Sequence, residues 1–327
     1  MLKVENLSVN IRRRRNVFTA VDGSDFSLNA GEIAALVGES GCGKTLTALS
    51  IMRLLPPAVE ISGGSILWES SSDSRSLIPL HSLDEKSLCK IRGKEISMIF
   101  QEPRQSLNPL MRIGKQIAET LTLHGADKKT AFEQAMFMLH KLKLPDPEKI
   151  LNARPFQLSG GMCQRVMIAV AAICRPRLLI ADEPTSSLDT ETRRHIMNLL
   201  QQINNELGTA VLFITHDLLA ARNFCNRFLI MYAGKIIEEG PAEKIFSSPA
   251  HPYTEKLMSA IPRKENRGQP LANIPGMMPS VENRLGGCPF APRCQRVRDC
   301  CRTAFPPQTD LGGGHKVSCF VFGGGNG

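Results

Sequence analysis

Eight residues, Gly38-Glu39-Ser40-Gly41-Cys42-Gly43-Lys44-Thr45, fit the pattern G-x-x-x-x-G-K-[ST] and follow the apolar run Ile33 to Val37. A strand that feeds a glycine-rich turn and then a helix points several backbone N–H groups at one place, which suits a phosphate. Lys44 adds a point charge there, and Thr45 a hydroxyl able to hold Mg²⁺. Downstream, Leu178 to Ala181 reads as a short buried strand ending in Asp182-Glu183, and Val211 to Ile214 as another ending in Thr215-His216-Asp217. Phosphoryl transfer asks a protein to position phosphates, neutralise charge and orient a water. Asp182 suits the metal and Glu183 the water, although an Asp-Glu pair at a strand end can also be a metal-only site or a helix cap. Leu158-Ser159-Gly160-Gly161-Met162-Cys163-Gln164-Arg165 lies before an apolar helix, Met162 to Ile173, whose N-terminus offers unpaired N–H groups to an anion.

These parts need a scaffold, and the pattern around them supplies one. Residues 2 to 37 alternate short apolar runs with turns at Asp22-Gly23 and Asn29-Ala30-Gly31, which predicts a small antiparallel sheet leading into the phosphate-loop strand. Residues 44 to 55 read as a helix. Residues 62 to 87, rich in Ser and Gly, read as a loop-rich insertion around a strand at Ser65 to Trp68. Ile113 to Leu123, and the apolar residues between Ala131 and Leu142, fall at helical spacing, so a helical region interrupts an α/β core. After Tyr232-Ala233-Gly234-Lys235 the chain runs through Pro-rich sequence into a cysteine-rich tail, and no internal repeat is visible.

The chain has 327 residues, 42% of them hydrophobic, enough for a large buried core. Its longest strongly apolar run, Val166 to Cys174, is about half of the ~18 residues a membrane-spanning helix needs. No secretory leader pattern is visible, so the expected location is cytosolic, with any membrane attachment made through partners. Net charge is +9, and residues 262 to 327 hold nine Lys/Arg against four Asp/Glu. A basic surface of this kind could meet nucleic acid or anionic lipid, or be plain solvated surface. Ten cysteines in a cytosolic chain do not predict disulfides.

With the phosphate loop, the Gln101 that ends Ile96 to Phe100, the Ser159-Gly160-Gly161 turn, Asp182-Glu183 and His216 in this order, the chain resembles an ABC transporter nucleotide-binding subunit over residues 1 to 260. That resemblance implies an α/β P-loop NTPase: a RecA-like core with an antiparallel β-subdomain, an inserted helical subdomain at about residues 103–165, and a small Cys-rich extension at 261–327. It implies an ATP hydrolase in which Gly38 to Thr45 hold ATP, Lys44, Glu183 and His216 are catalytic, and Thr45, Gln101 and Asp182 attend Mg²⁺. Ser159, Gly160, Gly161 and Gln164 would contact the nucleotide of an opposite subunit, with Ser187 and Asp189 as the D-loop at that seam. One departure stands out: the family's adenine-stacking aromatic falls on Ile11, with Phe18 the nearest substitute.

Gln101-Glu102-Pro103-Arg104-Gln105-Ser106-Leu107-Asn108-Pro109, His251-Pro252-Tyr253-Thr254, and the tail from Gly287 to Cys319 resemble the oligopeptide and dipeptide importer ATPases. The resemblance implies two ATPase subunits, the second a paralogue, under two permeases fed by an extracytoplasmic binding protein. The chain would sit peripherally at the cytoplasmic face of the inner membrane, and no nucleic-acid partner is expected. Nickel or another small solute is the nearest alternative cargo, and an ABC ATPase acting on DNA or ribosomes a more distant one. In such tails four cysteines are associated with a [4Fe-4S] cluster, which maps here to Cys288, Cys294, Cys301 and Cys319. Cys301 rather than Cys300 fits the family spacing before Arg302. Four thiolates can equally hold zinc, although their gaps of five, six and seventeen residues are not zinc knuckles, and reduced thiols are the plainer alternative.

Overall fold

A computed structural model describes residues 1–70, 77–186, 188–261, 274–284 and 286–323. In chain order its strands are β1 Leu2–Arg13, β2 Asn16–Leu28, β3 Ile33–Val37, β4 Val59–Glu69, β5 Leu77–Pro79, β6 Ile96–Ile99, β7 Leu178–Asp182, β8 Ala210–Thr215, β9 Arg227–Tyr232, β10 Lys235–Pro241, β11 Gln308–Asp310 and β12 Lys316–Ser318. Its helices are α1 Lys44–Met52, α2 Glu85–Ile91, α3 Pro103–Ser106, α4 Ile113–Leu123, α5 Lys128–Lys141, α6 Pro147–Asn152, α7 Gly160–Ala172, α8 Thr190–Leu207, α9 Leu218–Arg222, α10 Ala242–Ser247, α11 Pro252–Ser259 and α12 Asp299–Thr303. The chain divides into two compact units: Met1 with Leu28–Ile33 and Trp68–Ile214, and Leu2–Ser27 with Ala34–Leu67 and Thr215–Gly327.

In the first unit β6, β7 and β8 run parallel, in a register that sets Ile99 against Ala181 and Asp182 against Ile214. All the residues of these strands are buried, as their near-continuous apolar runs require of parallel strands covered on both faces. The helices are amphipathic where the sequence is periodic: α8 buries Ile196, Leu199, Leu200 and Ile203, one stripe at helical spacing. The Asp127 side chain caps α5 by accepting from Thr130 N. Of the region 62 to 87, residues 71–76 lie outside the described residues, and the rest is more regular than its composition predicts. Strand β4 spans Val59–Glu69, and α2 starts behind Asp84, whose side chain accepts from Ser87 N.

In the second unit β1 pairs with β2 and β4, and the turn of the β1–β2 hairpin falls on Arg14, at φ 54°. Strand β3 lies parallel to β9, Val37 opposite Ile230. Strand β10 folds back on β9 through Ala233-Gly234, both at positive φ, as a tight hairpin turn demands. The C-terminal extension continues this sheet, because β12 pairs antiparallel with β10, Glu238 opposite Val317, and β11 pairs with β12. Glu238 is buried and fastens three segments: it accepts from Ala250 N at 2.7 Å and His251 N at 2.9 Å, and lies 2.8 Å from His315 Nε2. Phe290 of the extension is fully buried against Tyr232 and Tyr253, with ring centroids 5.3 and 5.5 Å away.

Candidate functional site

The phosphate-loop pattern joins β3 to α1 in the second unit, as its sequence context predicts. Gly38 has no room for a side chain, since a β-carbon there would stand 2.1 Å from the Met231 carbonyl oxygen. Gly43, the residue before the helix, has φ 117°, a conformation that L residues rarely adopt. It gives α1 no side-chain cap, so the first N–H groups of the helix are left for an anion. Lys44 is buried, and its ammonium donates to the carbonyls of Gly38 at 2.8 Å and Glu39 at 3.0 Å, with Cys42 Sγ at 3.9 Å. Those carbonyls hold the charge in the turn, where a phosphate can compete for it. Ser40, Gly41 and Thr45 are exposed, Cys42 is buried, and Gly234 N donates to Cys42 O at 2.7 Å, pinning the loop from β10's turn. His216 is exposed just past β8.

Residue 39 is held from outside the loop. Its backbone N–H donates to Tyr253 Oη at 3.2 Å, and its carboxylate accepts from Arg293 Nη1 at 2.9 and 3.1 Å. Burial pushes the Tyr253 phenol upward, so it stays protonated. Burial holds His251, the cap of α11, down to about 3, so its imidazole is neutral. Ile11 and Phe18 lie part-exposed in β1 and β2.

In the first unit the structure brings Gln101 and Glu183 together, Gln101 Nε2 donating to Glu183 Oε2 at 3.2 Å. Asp182, the last residue of β7, is buried, while Gln101 is exposed. Glu183 sits at φ 46° with its N–H donating to Ile214 O at 2.9 Å. That backbone is strained for a non-glycine residue and holds the carboxylate at the carboxyl ends of parallel strands, where open α/β sheets bind ligands.

The signature turn leads into α7. Ser159 caps it, its Oγ accepting from Met162 N at 3.3 Å. A β-carbon on Gly160 would meet nothing within 4 Å, and one on Gly161 only the Thr192 side chain, at 3.1 Å. Gln164 is turned inward at 2% exposure, and its Nε2 has no partner among the described residues, whereas Ser159 is exposed and Gly160 and Gly161 partly so. Asp189 caps α8, accepting from Glu191 N at 3.1 Å and Thr192 N at 2.9 Å; the Thr192 N–H bond holds its carboxyl below the usual carboxylate range. Ser187 lies outside the described residues.

Cys288, Cys294, Cys301 and Cys319 line one cavity with His251 and Phe290, and Cys300 is not in its lining. Burial pushes the Cys288 thiol up to about 11. Among the described residues no group of three or more His, Cys, Asp or Glu is placed to hold one metal ion. Sequence reasoning missed Arg293 and Tyr253 as neighbours of the phosphate loop. Both stand in runs it quoted, but nothing local names a partner more than 200 positions away.

A parallel α/β sheet with a phosphate loop between β3 and α1 defines a P-loop nucleotide triphosphatase. Residues 21–186 match the family described as ABC transporter, and residues 237–301 the oligopeptide/dipeptide transporter C-terminal region. The chain is 44% identical to the oligopeptide transport ATP-binding protein OppD of Haemophilus influenzae, over 98% of this chain and 97% of that protein. It is 42% identical to OppD of Escherichia coli, over 98% and 93% respectively. Among solved structures it is similar to the dimeric post-hydrolysis state of the ATP-binding cassette MJ0796 bound to ADP and Pi, with TM-score 0.65 and 28% identity, covering 74% of this chain and 99% of that one. The chain belongs to the ABC transporter family, whose cassettes bind and hydrolyse ATP.

Proposed function

We propose that this chain is the ATP-hydrolysing subunit of an importer that drives di- and oligopeptides across the cytoplasmic membrane. The observation that carries the reading is the match at 237–301 to the oligopeptide/dipeptide transporter C-terminal region, in a chain related end to end to oligopeptide transport ATP-binding proteins. The loop Gly38 to Thr45 holds the phosphates of MgATP and Lys44 neutralises them. Thr45, Asp182 and Gln101 attend the magnesium, Glu183 polarises the attacking water and His216 contacts the γ-phosphate. Ser159 to Gly161 meet the nucleotide of a second ATPase subunit, a paralogue, which the unoccupied space around Gly160 supports.

Two permeases and an extracytoplasmic binding protein complete the assembly. Among the described residues no helix is long and apolar enough to cross a membrane, so the permeases anchor this chain peripherally at the cytoplasmic face. A groove lined by Leu110, Met111, Lys115, Phe132 and Leu151, with Leu110 82% and Phe132 46% exposed, supports docking of a permease helix on the helical region. In vesicles carrying the assembled complex, ATP should drive uptake of peptide, and Glu183→Gln should cut turnover by about 10²-fold or more while ATP still binds. Near wild-type turnover in that variant would remove Glu183 as the base, and uptake of nickel without peptide would reassign the cargo.

Cys288, Cys294, Cys301 and Cys319 suit a [4Fe-4S] cluster. A single tetrahedral zinc needs its sulfurs about 3.8 Å apart, given Zn–S bonds of ~2.3 Å. Among the described residues no three His, Cys, Asp or Glu are grouped to hold a single ion, while the four thiols line one cavity, and four thiolates are the usual ligand set of a [4Fe-4S] cluster. Cys288, Cys294, Cys301 and Cys319 would hold the cluster, which would then tie together the segments of the extension that carry them. Anaerobic purification should give a brown protein whose absorbance fades in Cys288→Ser; a colourless, iron-free preparation would leave reduced thiols.

A further inference from the structure

We propose that the C-terminal extension sets the ATP affinity of this subunit through Arg293, a positioning residue that fixes the phosphate loop at Glu39. The side chain of Arg293 is 6% exposed and that of Glu39 29%, so the pair is screened from solvent to a degree that surface ion pairs are not. Arg293 is itself fixed on several sides: Nη1 donates to Tyr232 Oη at 3.1 Å, Nη2 to Ile274 O at 3.0 Å and Nε to Pro275 O at 2.9 Å. Glu39 is thus gripped at its carboxylate by Arg293 and at its backbone N–H by Tyr253, while its carbonyl accepts from Lys44. The same loop residue therefore links the extension to the lysine that meets the phosphates.

The extension touches the surroundings of the loop at further points. Met278 Cε lies 3.8 Å from where a β-carbon on Gly41 would stand. Arg284 Nη1 donates to the carbonyls of Thr19 at 3.1 Å and Ala20 at 2.7 Å, and Glu282 pairs with Arg13 at 2.7 Å, all on the β1–β2 hairpin. A loop ordered before ATP arrives spends less binding energy on its own ordering. Losing the Arg293 anchor returns that cost to the binding step and leaves the reacting groups unchanged.

The test is a titration of the full-length chain with a fluorescent N-methylanthraniloyl-ATP and Mg²⁺, below the melting temperature of each variant. Arg293→Ala should raise Kd by about tenfold, equivalent to ~1.4 kcal/mol. Glu39→Gln should do the same, and the double variant should be no worse than either single one, because one interaction is being removed. Arg293→Lys, which keeps the charge but not the forked contacts, should fall between. In the assembled complex Arg293→Ala should raise KM for ATP and leave kcat at saturation unchanged, which a merely destabilised fold would not produce. A Kd within twofold of wild type, or losses that add in the double variant, would overturn the proposal. If Arg293→Ala is insoluble, Glu39→Gln decides by the same thresholds. Wild-type protein that takes up no nucleotide would contradict the ATP assignment as well, whereas tight wild-type binding with an indifferent Arg293→Ala removes the anchor alone.

Discussion

The phosphate loop and the signature turn are both glycine-rich, both lead into a helix, and differ in what demands the glycines. In the phosphate loop the demand is internal: a side chain on Gly38 would collide with the Met231 carbonyl, and Gly43 holds φ 117°. Its lysine is tied to carbonyls of the loop itself. In the signature turn a β-carbon on Gly160 would meet no heavy atom of the described residues within 4 Å beyond its own chain neighbours and helix backbone. The first loop carries its shape with it, whereas the described structure places no such constraint on Gly160.

Alanine substitutions separate the two cases. Gly38→Ala should be the most damaging, costing stability at or above the ~3 kcal/mol end of overpacking and abolishing ATP binding; denaturant melts and nucleotide titration check both. Gly160→Ala should be almost silent in the isolated chain. It adds a better helix former at the first residue of α7, so stability should stay within ~0.5 kcal/mol or rise slightly, and ATP affinity should not change. A Gly160→Ala chain that melts like Gly38→Ala would break the contrast.

Much of this was legible in the sequence where the signal is local. Strand β3 is an uninterrupted apolar run, β7 and β8 are apolar up to their last residue, and α4 repeats its apolar residues at the period of a helix, so their positions follow from pattern alone. The Ser- and Gly-rich stretch from residue 62 to 87 gave a weaker signal, because β4, which pairs with β1, has a composition that does not by itself favour a strand. The extension hid most. Its pairing with β10 and the grip of Arg293 on Glu39, 254 positions apart, depend on the folded sheet bringing distant segments together. The cysteines carry a spacing signal in the sequence, and Arg293, between Cys288 and Cys294, carries none.

The claim that the signature acts on another subunit's nucleotide is tested most directly by measuring ATP turnover of the full-length chain alone and then assembled with its partner ATPase and permeases, in wild-type and Gly160→Ala forms. Turnover should be slow alone, rise greatly on assembly for wild type, and rise about 10²-fold less for Gly160→Ala, the scale seen when a transition-state donor is lost, with ATP affinity unchanged in the isolated chain. Full turnover by the isolated wild-type monomer, or an assembled Gly160→Ala complex as fast as wild type, would contradict it.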